Sequence, residues 1–228
     1  PFTRPVGRYS PWGSLLPPRY VLPTITSTTF GFQGMLSTSG ADTLRRWLYS
    51  GYLSYRTDAR FLGWGASLAW NRWVPIITAG AYAYAVPYGD LYVQPSAPSQ
   101  GGSYVPSVES SNERYWDKRI RAYAQLTHPI DEYRSVFGRW SGTSRQPLEA
   151  LTDGAYRPFL PTRGFISSVG GGWRYARGRS YDTSISPEQG RILSLVGDLS
   201  APWIGAFVLD DQDQWVGFTQ LQITAEWR

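Results

Sequence analysis

Chemistry in this chain must come from carboxylates, hydroxyls, arginines and one imidazole, because its 228 residues include no Cys and a single His, His128. Disulfide frameworks, thiolate metal sites and cysteine nucleophiles are thereby excluded, and the redox compartment is left open. The one acidic cluster is Asp210-Asp211-Gln212-Asp213. Its oxygens could hold a calcium ion, but the glycine and twelfth-position glutamate of an EF-hand loop are missing, so a solvated loop tip is the plainer reading. His128 has Asp131 and Glu132 nearby. Beside Pro129 in a short turn, it reads as a surface imidazole sooner than as the base of a triad. Gly170-Gly171-Gly172 and Gly178 do not follow a strand and open a helix, as a phosphate-binding loop requires. Glycine inside a strand instead marks a bend or a close approach. The run Arg174-Tyr175-Ala176-Arg177-Gly178-Arg179 interleaves cations and rings. It would suit nucleic-acid phosphates and lipopolysaccharide phosphates equally. None of these groups amounts to an active site, and the expectation is a protein with no catalytic activity, no metal and no cofactor.

The elements that carry these residues are limited by composition. With 42% hydrophobic and 17% charged residues the chain is not disordered by composition. It is long enough to bury a core or line a bilayer as one domain. Aromatic residues make up 16%, including 11 Trp, in a sequence that is polar on average. The net charge of +5 is spread along the chain as arginines, which argues against a nucleic-acid partner. The opening Pro1-Phe2-Thr3-Arg4-Pro5 has no charged region followed by an apolar stretch, so it is not read as a secretory signal but as a chain cut from something longer. The longest weakly polar stretch, Trp73 to Tyr88, is interrupted by Pro75 and Pro87. It falls short of the roughly 20 apolar residues of a spanning helix. A closed barrel is the other structure that can cross a membrane.

Period-two alternation dominates. From Thr219 to Arg228, Leu221, Ile223, Ala225 and Trp227 alternate with Gln220, Gln222, Thr224, Glu226 and Arg228. One face of such a strand is apolar and the other hydrophilic. Arg119 to Thr127 sets Ile120, Ala122, Ala124 and Leu126 against Arg119, Arg121, Tyr123, Gln125 and Thr127. Similar alternation spans 47–56, 62–71 and 191–201, with weaker versions at 24–38, 75–86, 133–144 and 163–177, which gives nine expected strands. Short turn-rich segments at 39–42, 57–59, 72–75 and 128–132, and longer connections at 88–116, 146–161, 178–190 and 205–217, imply up-and-down hairpins. Residues 1–20 read as an extended Pro-rich lead-in and 21–228 as the strands.

The expected fold class is therefore all-β: an antiparallel up-and-down transmembrane β-barrel. Strands near the 9 to 11 residues of a tilted membrane strand favour it, as do aromatics near strand ends. Arg119, Arg121, Gln125, Gln220, Gln222 and Glu226 would face the lumen. Trp47, Trp64, Trp70, Trp73, Tyr84, Trp173, Tyr175 and Trp227 would form the aromatic girdle. Two alternatives stay open. One is a soluble β-sandwich, a carbohydrate-binding or structural module. The other is a strand-rich subunit that completes its sheet with another chain.

The run Tyr9-Ser10-Pro11-Trp12-Gly13-Ser14-Leu15-Leu16-Pro17-Pro18-Arg19-Tyr20-Val21-Leu22-Pro23 resembles the segment that opens the C-terminal outer-membrane barrel of bacterial proteins with an N-terminal TolB-like propeller. Ser39-Gly40-Ala41-Asp42-Thr43-Leu44 and the stretch Arg179 to Arg191, with Ser186-Pro187-Glu188 and Gly190-Arg191, are similar to later landmarks of that family. Such barrels are distantly similar to the bacterial surface-antigen superfamily of BamA-type assembly and TpsB-type secretion barrels. The resemblance implies a bacterial outer-membrane location and contact with outer-membrane lipid and lipopolysaccharide. It also implies a periplasmic domain on the same or another chain, other membrane subunits as partners, and a role as anchor or in protein insertion, secretion or transport. Superfamily barrels have sixteen strands, so nine mean either part of such a barrel or a ten-strand barrel miscounted by one. The superfamily's Arg-Gly-aromatic lumen motif has its one counterpart in Arg163-Gly164-Phe165, too early in the chain to carry the role over. Placing the long connection 88–116 outside makes 39–44, 73–75, 128–132 and 178–190 inner turns, but then strand one starts outside, against a periplasmic lead-in.

Overall fold

A strand with one apolar and one polar face must pair its backbone with neighbours, and in the computed structural model of the chain the alternating windows do so. The structure describes residues 12–15, 18, 20–28, 31–88, 92–93, 109–110, 115–148, 155–156, 163–179, 189–209 and 214–227. They form one antiparallel sheet of 12 strands. In chain order these are β1 (Leu22–Thr28), β2 (Gly31–Ala41), β3 (Trp47–Arg56), β4 (Phe61–Trp70), β5 (Ile76–Tyr88), β6 (Tyr115–Pro129), β7 (Arg134–Pro147), β8 (Gly164–Arg179), β9 (Gln189–Ser200), β10 (Phe207–Leu209), β11 (Trp215–Gly217) and β12 (Gln220–Trp227). Strands β1 to β9 follow one another in space, and β12 lies beside β9. The short β10 pairs with β8 and with β11. Tyr92–Val93, Glu109–Ser110 and Ala155–Tyr156 make a small separate sheet. Within the expected extended lead-in, Trp12–Leu15 is one helical turn. No described helix is long and apolar enough to cross a membrane.

The meander holds ten strands where nine were expected. The window 24–38 is a hairpin, with β1 and β2 paired from Leu22↔Ser37 to Thr28↔Gly31. Only Thr29 and Phe30 lie between the two strands. Asn-Gly and Asp-Gly are the usual signatures of so short a connection; without one, the alternation ran through it unnoticed. With the tenth strand, β1 starts at the same end of the sheet as the short turns. Turns 42–46, 71–75 and 130–133 lie at one end of the sheet, together with the start of β1, the finish of β8, the start of β9 and the finish of β12. Turn 57–60 lies at the other, with the finish of β5, the start of β6, the finish of β7, the start of β8 and the finish of β9.

The expected closure into a barrel is not seen: β1 and β12 are the two edges of an open sheet. Ten up-and-down strands do leave those edges running in opposite directions, the relation an antiparallel pair requires.

The pleat separates the chain into two faces. On one lie Leu36, Leu53, Trp64, Leu68, Ile77, Ile120, Trp140, Val169, Leu195, Leu221 and Ile223, every one of them exposed. Exposure reaches 78% at Ile25, 68% at Ile223 and 81% at Trp227. A sandwich would cover this face with a second sheet, and the described residues supply only the three two-residue strands. A small core exists at the long-connection end, where Ala59, Phe61, Ala83, Ala85 and Trp116 pack with Leu148. The Arg56 guanidinium lies 4.8 Å from the centre of the Trp116 ring.

Candidate functional site

Strand register carries the polar residues to one surface. Gln125 pairs with Arg139, Arg139 with Gly170, Gly170 with Asp198, and Asp198 with Gln222, a single row across five strands. Arg121 pairs with Thr143 and Arg119 with Arg145 in parallel rows, while Gln220 pairs with Ser200 and Glu226 with Ser194. Arg119, Arg121, Gln125, Gln220, Gln222 and Glu226 therefore share the face opposite the apolar one. The structure adds to them Asp117, Arg139, Arg145 and Asp198, which the sequence reading did not single out.

Ion pairs lace this face. The Arg139 Nε donates to Asp198 Oδ1 at 2.9 Å and its Nη2 donates to Oδ2, a two-point grip. The two residues stand on β7 and β9, with β8 between them, so the contact crosses an intervening strand. Gly170 is the residue of β8 in that row, and a Cβ there would lie 2.1 Å from Asp198 Oδ1 and 2.5 Å from the Gly197 carbonyl oxygen. The glycine makes the room in which the guanidinium and carboxylate meet. Nearer the long-connection end, Arg145 donates to Asp117, and Arg119 stands 3.9 Å from the same carboxylate. Asp117 is fully buried, so this pairing offsets the desolvation of its charge.

The same face changes character over β2 to β5, where hydroxyls replace charges. Ser50 and Ser67 hydrogen-bond across β3 and β4 at 2.7 Å. Tyr52 lies over Gly65, where a Cβ would come within 2.2 Å of the ring. Tyr82 packs against Tyr84 and Tyr123, at centroid separations of 5.6 and 6.3 Å, and marks the boundary between hydroxyl and charged regions.

Two turn carboxylates are held below the usual carboxylate range. For Asp58 the main cause is the hydrogen bond from Arg56, whose Nη2 lies 2.9 Å from Oδ2, helped by Thr28 Oγ1 at 3.1 Å. For Asp131, in the turn after β6, it is the hydrogen bond from Arg134, followed by the backbone N–H of Tyr133. His128 belongs to β6, paired with Val136, one step before the turn it was expected to occupy.

The aromatic residues expected to form a girdle divide. Trp47 and Trp70 stack at 5.8 Å, and Trp73 joins Trp70 at 5.6 Å, at the short-turn end. Trp173 stacks on Tyr175 at 6.4 Å at the same end, and Trp227 pairs across from Leu193 in the row of Tyr175. Arg72 lies over Trp73 and Arg177 over Tyr133, each 5.7 Å from the ring centre. Trp64 is on the apolar face, paired with Leu53 and Ala83 toward the other end. Tyr84 departs from the expectation: its register partner is Arg119, on the polar face. Its strand parity matches Tyr82 rather than Ala83, which is why strand-end position alone misplaced it. On the apolar face Trp140 keeps its indole N–H satisfied by Ser167 Oγ at 2.9 Å.

Among the described residues no group of His, Cys, Asp and Glu could hold a metal ion. Asp210, Asp211 and Asp213 lie outside the described residues, as do most of the lead-in and 180–188. In the Ser39-to-Leu44 landmark, Ser39, Gly40 and Ala41 finish β2, and Asp42 Oδ1 accepts the Trp47 backbone N–H at 2.8 Å to fix the turn. Comparison with known proteins finds no matching family model, no matching curated protein and no matching solved structure.

Proposed function

We propose that the chain is a bacterial outer-membrane β-barrel domain without catalytic activity. In this reading its apolar face meets lipid and lipopolysaccharide, and its polar face lines the lumen. The observation that carries the reading is the apolar face itself, exposed across ten paired strands with a polar face behind it. Water disfavours a surface of that extent, whereas a bilayer suits it. Ten residues at about 3.3 Å each, tilted by about 45°, rise about 23 Å, close to the apolar band of such barrels. Aromatic stacks with flanking arginines at the short-turn end fit a lipid–water boundary. On the strength of the sequence resemblance, the domain anchors a periplasmic part of the same or another chain and serves protein insertion, secretion or transport with other membrane subunits. Closure comes either from pairing of β1 with β12 or from further strands.

Partitioning the expressed chain between buffer and detergent or lipid vesicles, with β content read by circular dichroism, tests the reading. Folding only with detergent or lipid is the expected result. A soluble, β-rich chain in plain buffer would replace it with a carbohydrate-binding or structural β-module.

A further inference from the structure

Among the described arginines that line the cavities of the polar face, Arg121 is the one with no carboxylate partner. Arg139 spends its Nε and Nη2 on Asp198, and Arg119 and Arg145 flank Asp117. Arg121 stands between these two clusters. Its Nε is shielded from solvent, and no described residue accepts a hydrogen bond from it. A guanidinium can grip a planar carboxylate at two points, as Arg139 on the neighbouring strand does with Asp198.

Two cavities meet at Arg121, and Arg139 and Ser141 line both. One, of about 220 Å³, continues to Ser168, Ser200, Gln220 and Gln222, neutral donors and acceptors that suit a polar anionic head. The other, of about 310 Å³, is walled by Tyr82 and Tyr123. With Asp198 offsetting Arg139, the site keeps one net positive charge. We propose that this cleft binds a small organic acid, its carboxylate on the Arg121 guanidinium where the two cavities meet and an aromatic or other flat body against Tyr82 and Tyr123. The inference rests on the reading of the polar face as the water-bearing side.

Titration calorimetry of the full chain folded in detergent micelles, with benzoate as probe and acetate and inorganic phosphate as comparisons, tests it. Saturable benzoate binding is expected, stronger than that of acetate or phosphate. It should weaken about ten- to a hundredfold in Arg121→Gln, the size of a lost charge-assisted hydrogen bond, and less in Arg121→Lys. Tyr82→Leu should weaken benzoate and leave acetate unchanged, and Arg174→Gln, on the same face outside the cleft, should change neither. Absent benzoate binding in a chain whose β spectrum is intact, or equal binding by Arg121→Gln with that spectrum, overturns the site. Phosphate binding as tight as benzoate overturns the ligand class. Failure of the membrane reading shows separately, as a β spectrum acquired in plain buffer, where the same titration can be repeated.

Discussion

Leu221, Ile223 and Ala225 on one side of β12 and Gln220, Gln222 and Thr224 on the other are built from the same backbone, yet they meet different surroundings. Along the apolar face side chains lie open, and the indole N–H of Trp140 is closed internally on Ser167. Along the polar face the side chains bind one another, through Arg139–Asp198, Arg145–Asp117 and Ser50–Ser67. A soluble sheet reverses this economy, packing its apolar side and leaving its polar side to water. The difference teaches that the cohesion visible within the described residues is concentrated on the hydrophilic side of the sheet, while the hydrophobic side is left exposed.

The largest expected effect comes from placing a charge on the wrong face. Ala66, mid-strand on the apolar side of β4, pairs with Gly51 and Ala81. Ala66→Arg should destabilise the lipid-folded chain by about 2–4 kcal/mol, the range for a cation at the midplane of a membrane strand. Thr78→Arg, on the polar side of β5, should change the urea midpoint in vesicles far less. Equal losses would erase the distinction between faces.

Next in size is Gly170→Val, which puts carbon where Asp198 and the Gly197 carbonyl now stand. Overpacking of this kind is destabilising by about 1–3 kcal/mol, and the same urea titration should show it. Asp198→Asn in the same background should add little, because the ion pair would already be broken. Additive losses would separate the glycine from the pair.

Much of the two-faced pattern was legible in the sequence, because alternation is local: residues 119–127 and 219–228 display both faces within ten positions. What joins them was not. Arg139 and Asp198 are 59 residues apart, and their meeting depends on registers of three strands and on one glycine, none of which is written in a single window. The hairpin at 22–41 was missed for the opposite reason. A two-residue connection without Asn-Gly or Asp-Gly looks like continued strand. Tyr84 was misplaced because nearness to a strand end says nothing of which side a residue points to.

Smaller effects sharpen the comparison. Ser67→Ala removes the Ser50 hydrogen bond and should lower stability by about 0.5–1.5 kcal/mol, read from the same midpoint. Smallest is the response to acid of the turn after β3. Asp58 is held below its ordinary value by Arg56. The stability it contributes is therefore present above an unfolded pKa of about 3.9 and is lost as pH falls through the lower folded value. Wild-type midpoints should fall more steeply than those of Asp58→Asn over that interval. Parallel curves would remove Asp58 from the account.

Because the chain has no cysteine, the two faces can be read one residue at a time. Thr78 and Ala79 are neighbours on β5, the first paired with Gln125 on the polar face and the second with Ala124 on the apolar face. Single variants Thr78→Cys and Ala79→Cys, folded in lipid vesicles and exposed to a water-soluble maleimide, measure the water each side meets. The account predicts rapid labelling of Thr78→Cys and protection of Ala79→Cys until the chain is unfolded. Equally rapid labelling of both would contradict it.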